Sequence, residues 1–113
     1  MPGPKPSDAT ARAVAKYRLS ERAYADIIGI GSYTMERFGI EQARRYRDQL
    51  ERAFQVLADH PARGRTADDV APGLRRWNYH SHVVFFRPEA QGVVIVRVLH
   101  QAMDATRHPM KDE

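Results

Sequence analysis

Two stretches, Val83 to Phe86 and Val93 to Leu99, are apolar at nearly every position, with Arg97 the one charged residue inside them. A strand with one wet face alternates apolar and polar residues, so a strand without alternation is one buried on both faces. Gln91-Gly92 separates the two stretches at the spacing of a short hairpin turn, which predicts paired strands over His82–Arg87 and Val93–Leu99. Any fold for this chain must therefore cover both faces of that hairpin, and the remaining residues decide with what.

Upstream the periodicity is helical. Tyr17 and Leu19 alternate with Lys16 and Arg18 in a short strand, and Ser20 then offers its hydroxyl as an N-cap to a helix from Glu21 to about Phe38. Ala23, Ile27, Ile30, Thr34 and Phe38 form the apolar stripe of that helix; Gly29 and Gly31 suggest close approach of a second helix, and Gly39 a tight exit. The second helix, about Glu41 to Asp59, carries Ala43, Tyr46, Leu50, Ala53, Phe54 and Leu57 on one face and ends at His60-Pro61. Its other face, with Glu41, Arg44, Arg45, Asp48, Glu51 and Arg52, reads as solvated with a few weak ion pairs. After a loop from Pro61 to Pro72, Leu74–Tyr79 reads as a strand closed by a turn at His80-Ser81.

The expected fold is α+β: a short N-terminal strand, then a helical hairpin packed on an antiparallel sheet of about four strands. Residues 1–15, rich in proline, read as an arm, residues 16–107 as one domain and 108–113 as a tail. Two helices cover one face of such a sheet. The other must be covered by the arm, by the tail after His100, or by another chain, and a partner laid across residues 74–99 is the expectation.

Composition narrows the chemistry. No apolar run approaches the roughly 20 residues of a membrane span, and no secretory h-region opens the chain, so the cytoplasm is the expected compartment and no membrane a partner. The absence of cysteine removes disulfides, thiolate metal sites and thiol nucleophiles. His60, His80, His82 and His108 lack metal-ligand spacing, and no phosphate-binding glycine loop, HExxH or GxSxG is present, so neither metal nor cofactor is expected. The net charge is +4, and between Gly73 and His100 the charged residues are Arg75, Arg76, Arg87 and Arg97 against Glu89 alone. That stretch favours an acidic partner, with Arg75, Trp77, Tyr79, Arg87 and Arg97 as the candidate contact residues. Arg97 is expected to pair with Asp104, and His100 to hydrogen-bond the tail near Asp104.

The segments YRLSERAYADI, FGIEQARRY, HPARGR, GLRR with HVVFFR, and IVRVLHQAMDATRH, taken in order, resemble the ParE branch of the RelE/ParE toxin superfamily across residues 16–107. The resemblance implies a type II toxin neutralised by a ParD-like antitoxin, a ribbon-helix-helix DNA-binding dimer. It also implies inhibition of DNA gyrase by binding, with no DNA contact by the toxin alone. The alternative it carries is RelE-like cleavage of messenger RNA on the ribosome. That chemistry needs a base, a cation for the phosphate and an acid, commonly Lys and Arg with a Tyr or His near the C-terminus. No lysine lies between Lys16 and Lys111 and no tyrosine follows Tyr79, which leaves Arg97 and His100 as candidate catalytic residues.

Overall fold

A computed structural model describes residues 15–113; apart from Ala15, the expected N-terminal arm lies outside them. In chain order the elements are β1 (Lys16–Leu19), α1 (Glu21–Phe38), α2 (Ile40–Asp59), a 3-10 turn (Pro61–Arg63), β2 (Arg65–Thr66), β3 (Arg75–Tyr79), β4 (His82–Glu89), β5 (Gly92–His100) and a second 3-10 turn (Ala105–Arg107). The sheet has five strands in the order β1-β5-β4-β3-β2. It is mixed, because β1 runs parallel to β5 while the other pairs are antiparallel. The two-residue β2 is too short to leave a periodic signal in the sequence.

Local chemistry sets the element ends. The Ser20 hydroxyl accepts from the Ala23 amide at 3.0 Å, capping α1 as expected, and donates to the Val96 carbonyl at 2.8 Å, which ties the helix start to β5. Gly39, at φ 92°, ends α1 through its amide to the Met35 carbonyl and begins α2 in the same residue. Gly92, at φ 149°, lies so close to the Lys16 backbone that a Cβ would collide with it, so the β1–β5 pairing requires glycine there. Gly29 and Gly31 do not serve the close helix contact expected of them: a Cβ at either meets open space.

One cluster fills the space between helices and sheet, with Ala23, Leu50, Phe54, Leu57, Val84, Phe86, Val93, Ile95 and Val98 buried together. The second cluster lies on the opposite face: Leu74, Phe85, Val94, Val96 and Leu99. Successive β5 residues point to opposite faces, so its apolar run feeds both clusters and Val93 to Leu99 are all buried; a β-bulge between Phe85 and Phe86, where the partner passes from Arg97 to Ile95, shifts the register. Both faces of the hairpin are thus buried, as its sequence demands. The second face, however, does not await a partner. Val70 and Ala71 from the loop before β3, with Ala105 and Met110 from the segment after β5, pack over it.

That cover is fastened by arginines. Arg87 donates to the Pro72 carbonyl at 3.3 Å, the Met110 carbonyl at 3.3 Å and the Asp112 carboxylate. Arg76 holds Asp69 at 2.6 Å, and Arg18 reaches Glu89 at 2.6 Å and the Asp112 carbonyl at 2.8 Å. The exposed large apolar side chains are concentrated on the helical hairpin: Tyr24, Ile28, Tyr33, Met35, Phe38 and Ile40. The stripe expected on α1 is therefore right at its start, where Ala23 is buried, and wrong at its end, where Phe38 is 68% exposed because the hairpin tip has no sheet beneath it.

Candidate functional site

The groove between the hairpin tip and the ends of β4 and β5 has a volume of about 840 Å³ and is bounded by α1 residues from Ala25 to Phe38, by Gln42 and Tyr46 of α2, and by His82, Leu99 and His100. Its floor is an ion pair. Arg97 presents its Nε and one terminal nitrogen to the two oxygens of Asp26 at 2.8 and 2.9 Å, and the pair is almost withdrawn from water, at 9% and 14% exposure of the two side chains. Asp26 also accepts from the Val98 amide at 2.9 Å. β1 stops opposite Ile95, so the carboxylate stands where a further strand would have supplied a carbonyl to β5. This corrects the expected partner of Arg97. Asp104 instead caps the second 3-10 turn, accepting from the Thr106 hydroxyl at 2.6 Å and amide at 3.1 Å, which hold its carboxyl below the usual range.

Above that floor sits an aromatic group whose members are scattered along the chain. The Tyr46 hydroxyl lies 2.8 Å from His82 Nδ1. The His82 and His100 rings are 5.7 Å apart and nearly perpendicular, while Tyr79 and His80 adjoin Tyr46. Burial pushes the Tyr46 phenol up to about 12, with Tyr79 adding to the effect. Burial also lowers the His82 pKa, helped by the neighbouring His100 and His80. His100 Nδ1 accepts from the Ala102 amide at 3.1 Å, so the histidine does bond the tail, at Ala102 rather than at Asp104. Among the described residues no group of three or more acidic or histidine side chains is placed to hold a metal ion. Among them, too, no helix is long and apolar enough to cross a membrane.

The five residues expected to meet a partner are not one patch. Arg97 is on the groove floor, and Arg87 fastens the outer cover. Arg75 donates to the Gly64 carbonyl while its buried Nε has no partner. Trp77 and Tyr79 pack, half-buried, against the helix-side core. Of the two candidate catalytic residues both line the groove, but Arg97 is engaged. Asp26, Tyr46 and His82 also line the groove and are not among the site residues expected from the sequence. Asp26 lies beside the apolar stripe of α1, Tyr46 looked like core, and His82 carried only its two-residue spacing from His80.

Comparison with known proteins agrees with this architecture. The chain is 44% identical to Toxin ParE1 of Caulobacter vibrioides over 92 residues, 81% of this chain and 95% of that one. It is 38% identical to Toxin ParE1 of Mycobacterium tuberculosis over 95 residues, 83% and 97% of the two chains. A chain in a structure titled "Chromosomal ParDE TA system from P. aeruginosa" superimposes with a TM-score of 0.66 at 18% identity, over 78% of this chain and 97% of that one, which shows a shared fold. Residues 17–105 match the family described as "ParE toxin of type II toxin-antitoxin system, parDE". By profile and by relatives over most of its length, the chain belongs to the ParE toxin family of type II toxin-antitoxin systems.

Proposed function

We propose that this ParE-family toxin is neutralised by a ParD-like antitoxin and arrests growth in the cytoplasm by binding DNA gyrase, not by cutting messenger RNA. The observation that carries the choice is the state of Arg97. Cleavage needs a cation free to meet the charge that develops on phosphate, whereas the Arg97 fork is spent on Asp26. Removing it would strand a buried carboxylate at a cost of about 3–5 kcal/mol. His100, its Nδ1 already accepting from Ala102, presents an N–H donor and no free lone pair in its neutral form, which suits binding better than proton abstraction.

The antitoxin reading draws on exposed apolar surface and an open strand edge. Tyr33 and Phe38 flank the groove at 56% and 68% exposure, and a peptide segment covering them gains about 25 cal/mol per Å² of apolar area buried, less its own ordering cost. On the outer side of β3 only Arg75 and Arg76 are paired, by β2, so Trp77 to Tyr79 can accept an added strand. In this reading Trp77 and Tyr79 touch the partner, while Arg75, Arg87 and Arg97, each bonded within the chain, hold the surface in shape.

The test is to add purified toxin, with and without the ribbon-helix-helix protein encoded beside it, to a gyrase supercoiling reaction and to a translating extract. Supercoiling is expected to fail with toxin alone and to recover with antitoxin, while messenger RNA stays intact. Codon-spaced cuts that disappear in His100→Ala, with supercoiling unaffected, would replace this reading by the RelE-like one.

A further inference from the structure

We propose that the groove at the ends of β4 and β5 is a carboxylate-binding site for an acidic, apolar peptide segment, and that its grip tightens as pH falls from 8 to 6. The proposal rests on the antitoxin reading only for the identity of the natural ligand; the site itself stands on the geometry of two histidines.

His82 and His100 are directly paired across β4 and β5, both rings line the groove, and in each ring Nδ1 is already used, by the Tyr46 hydroxyl and the Ala102 amide respectively. The free ring nitrogen is therefore Nε2 in both. On His100 the amide donates to Nδ1, so the neutral ring carries its hydrogen on Nε2 and is a fixed donor; protonating Nδ1 would break that bond. His82 differs, because a hydroxyl can give or receive. The Tyr46 hydroxyl, kept protonated by its raised pKa, donates to a neutral His82 and accepts from the Nδ1–H of the imidazolium. His82 can thus take up a proton without losing its support, and His100 holds the second hydrogen bond. Two adjacent N–H donors, one able to become charged, suit the two oxygens of a carboxylate.

The surroundings select the ligand. Among the described residues lining the groove, Asp26 is the one carboxylate and Arg97 the one arginine or lysine, and each consumes the other. The ligand must bring its own anion, and no free arginine or lysine is there for a phosphate, which favours a peptide over RNA. Tyr33, Phe38 and Met103, all more than half exposed, supply apolar contacts beside the imidazoles. The other groups near His82 are Tyr79, its pairing partner on β3, and His80 and His100, whose proximity adds to burial in disfavouring the imidazolium; His108 adds a further imidazole to the lining. A bound carboxylate reverses that bias. The complex then holds more protons than the free protein, so affinity rises as pH falls through the imidazole range.

The test uses the full chain and an acetylated, amidated peptide of alternating glutamate and leucine, with a glutamine-for-glutamate version as control. Affinity is measured at pH 6 and 8 at constant ionic strength, together with the imidazole 15N resonances. The glutamate peptide is expected to bind about three- to tenfold more tightly at pH 6, within the ceiling of about a hundredfold that one linked proton sets over two pH units, and to shift His82 and His100 Nε2. His82→Gln, which keeps an N–H donor but takes up no proton, should flatten the pH dependence. His100→Gln should weaken binding at both pH values and leave the slope. Equal affinity at the two pH values, an equal slope with the glutamine peptide, or a short RNA shifting the same resonances at lower concentration would each overturn the proposal. If the peptide behaves as expected while the natural antitoxin binds without pH dependence, the site stands and the antitoxin docks elsewhere. Failure of gyrase inhibition would touch only the reading of the target.

Discussion

On its helix side the sheet meets Leu50, Phe54 and Leu57 from a helix of 20 residues; on its outer side it meets Val70, Ala71, Ala105 and Met110 from a loop and from the segment after β5. Both sides exclude water from β5. The first does so mainly by area, with large side chains that are almost wholly buried, and the Asp26–Arg97 pair and the Ser20 hydroxyl add a few polar ties to β5. The second cover is thin and consists of small or partly exposed residues. It stays in place because Arg87, Arg76 and Arg18 tie backbone carbonyls and carboxylates of the loop and tail to the sheet. A chain of this length thus closes both faces of a buried hairpin with helices for only one of them.

The difference predicts unequal costs for equal truncations. Leu57→Ala, at a fully buried position on the helix side, should lower unfolding free energy by about 2–5 kcal/mol. Met110→Ala should cost well under half of that, since its side chain is only partly buried. Urea midpoints at constant m-value measure both. Equal losses would mean that the outer cover is as much a part of the cooperative core as the helices are.

The helix side was legible in the sequence because its residues repeat at a fixed period: the spacing of Leu50, Phe54 and Leu57 is by itself enough to mark a buried helical face. The outer cover was not, because Val70, Ala71, Ala105 and Met110 have no periodicity and come from segments whose path only the folded chain defines. Counting helices left this face to the arm, the tail after His100 or another chain, with a partner the expectation; the tail does supply Ala105 and Met110, and the loop before β3, which the count left out, supplies Val70 and Ala71. The groove shows the same division. Arg97 stood out as a charge inside an apolar strand, but its partner is 71 residues away on another element, and the nearer Asp104 was the wrong choice. His82 and His100 become neighbours only through the register of β4 on β5, and Tyr46 joins them only where α2 crosses the strand ends. Position along the chain carries residue type; proximity between elements carries the site.

A second way to sharpen the contrast is to cut a fastener. Arg87→Ala removes bonds to Pro72, Met110 and Asp112, and with Asp112 nearly half exposed the expected loss is about 1–2 kcal/mol, less than the value for a buried charge pair. The more telling readout is amide exchange. Protection should fall in residues 67–74 and 105–113 while α1 and α2 keep theirs, and raising the salt should reproduce part of the effect in the unaltered protein. Uniform loss of protection across the chain would show that the cover cannot open independently.

The smallest effect separates the two sides by pH. The His82 imidazole, on the helix side, has a folded pKa below its unfolded value of about 6.5. The unfolded chain then binds more protons, so its contribution to stability is full above pH 6.5, declines as pH falls through that value, and levels off below the folded pKa. The outer side responds in a different window. Asp69 is lowered by its hydrogen bond with Arg76, so the stability it provides is present above the ordinary aspartate pKa near 4 and fades as pH falls through the folded value. Urea midpoints at pH 7, 5.5 and 3.5 should therefore fall in two steps. His82→Gln should remove the first step and leave the second, whereas Asp69→Asn should leave the first and shrink the second, to which Asp104 also contributes. If His82→Gln leaves the upper step intact, another imidazole carries it, and the pairing of His82 with Tyr46 does not govern the acid sensitivity of the helix side.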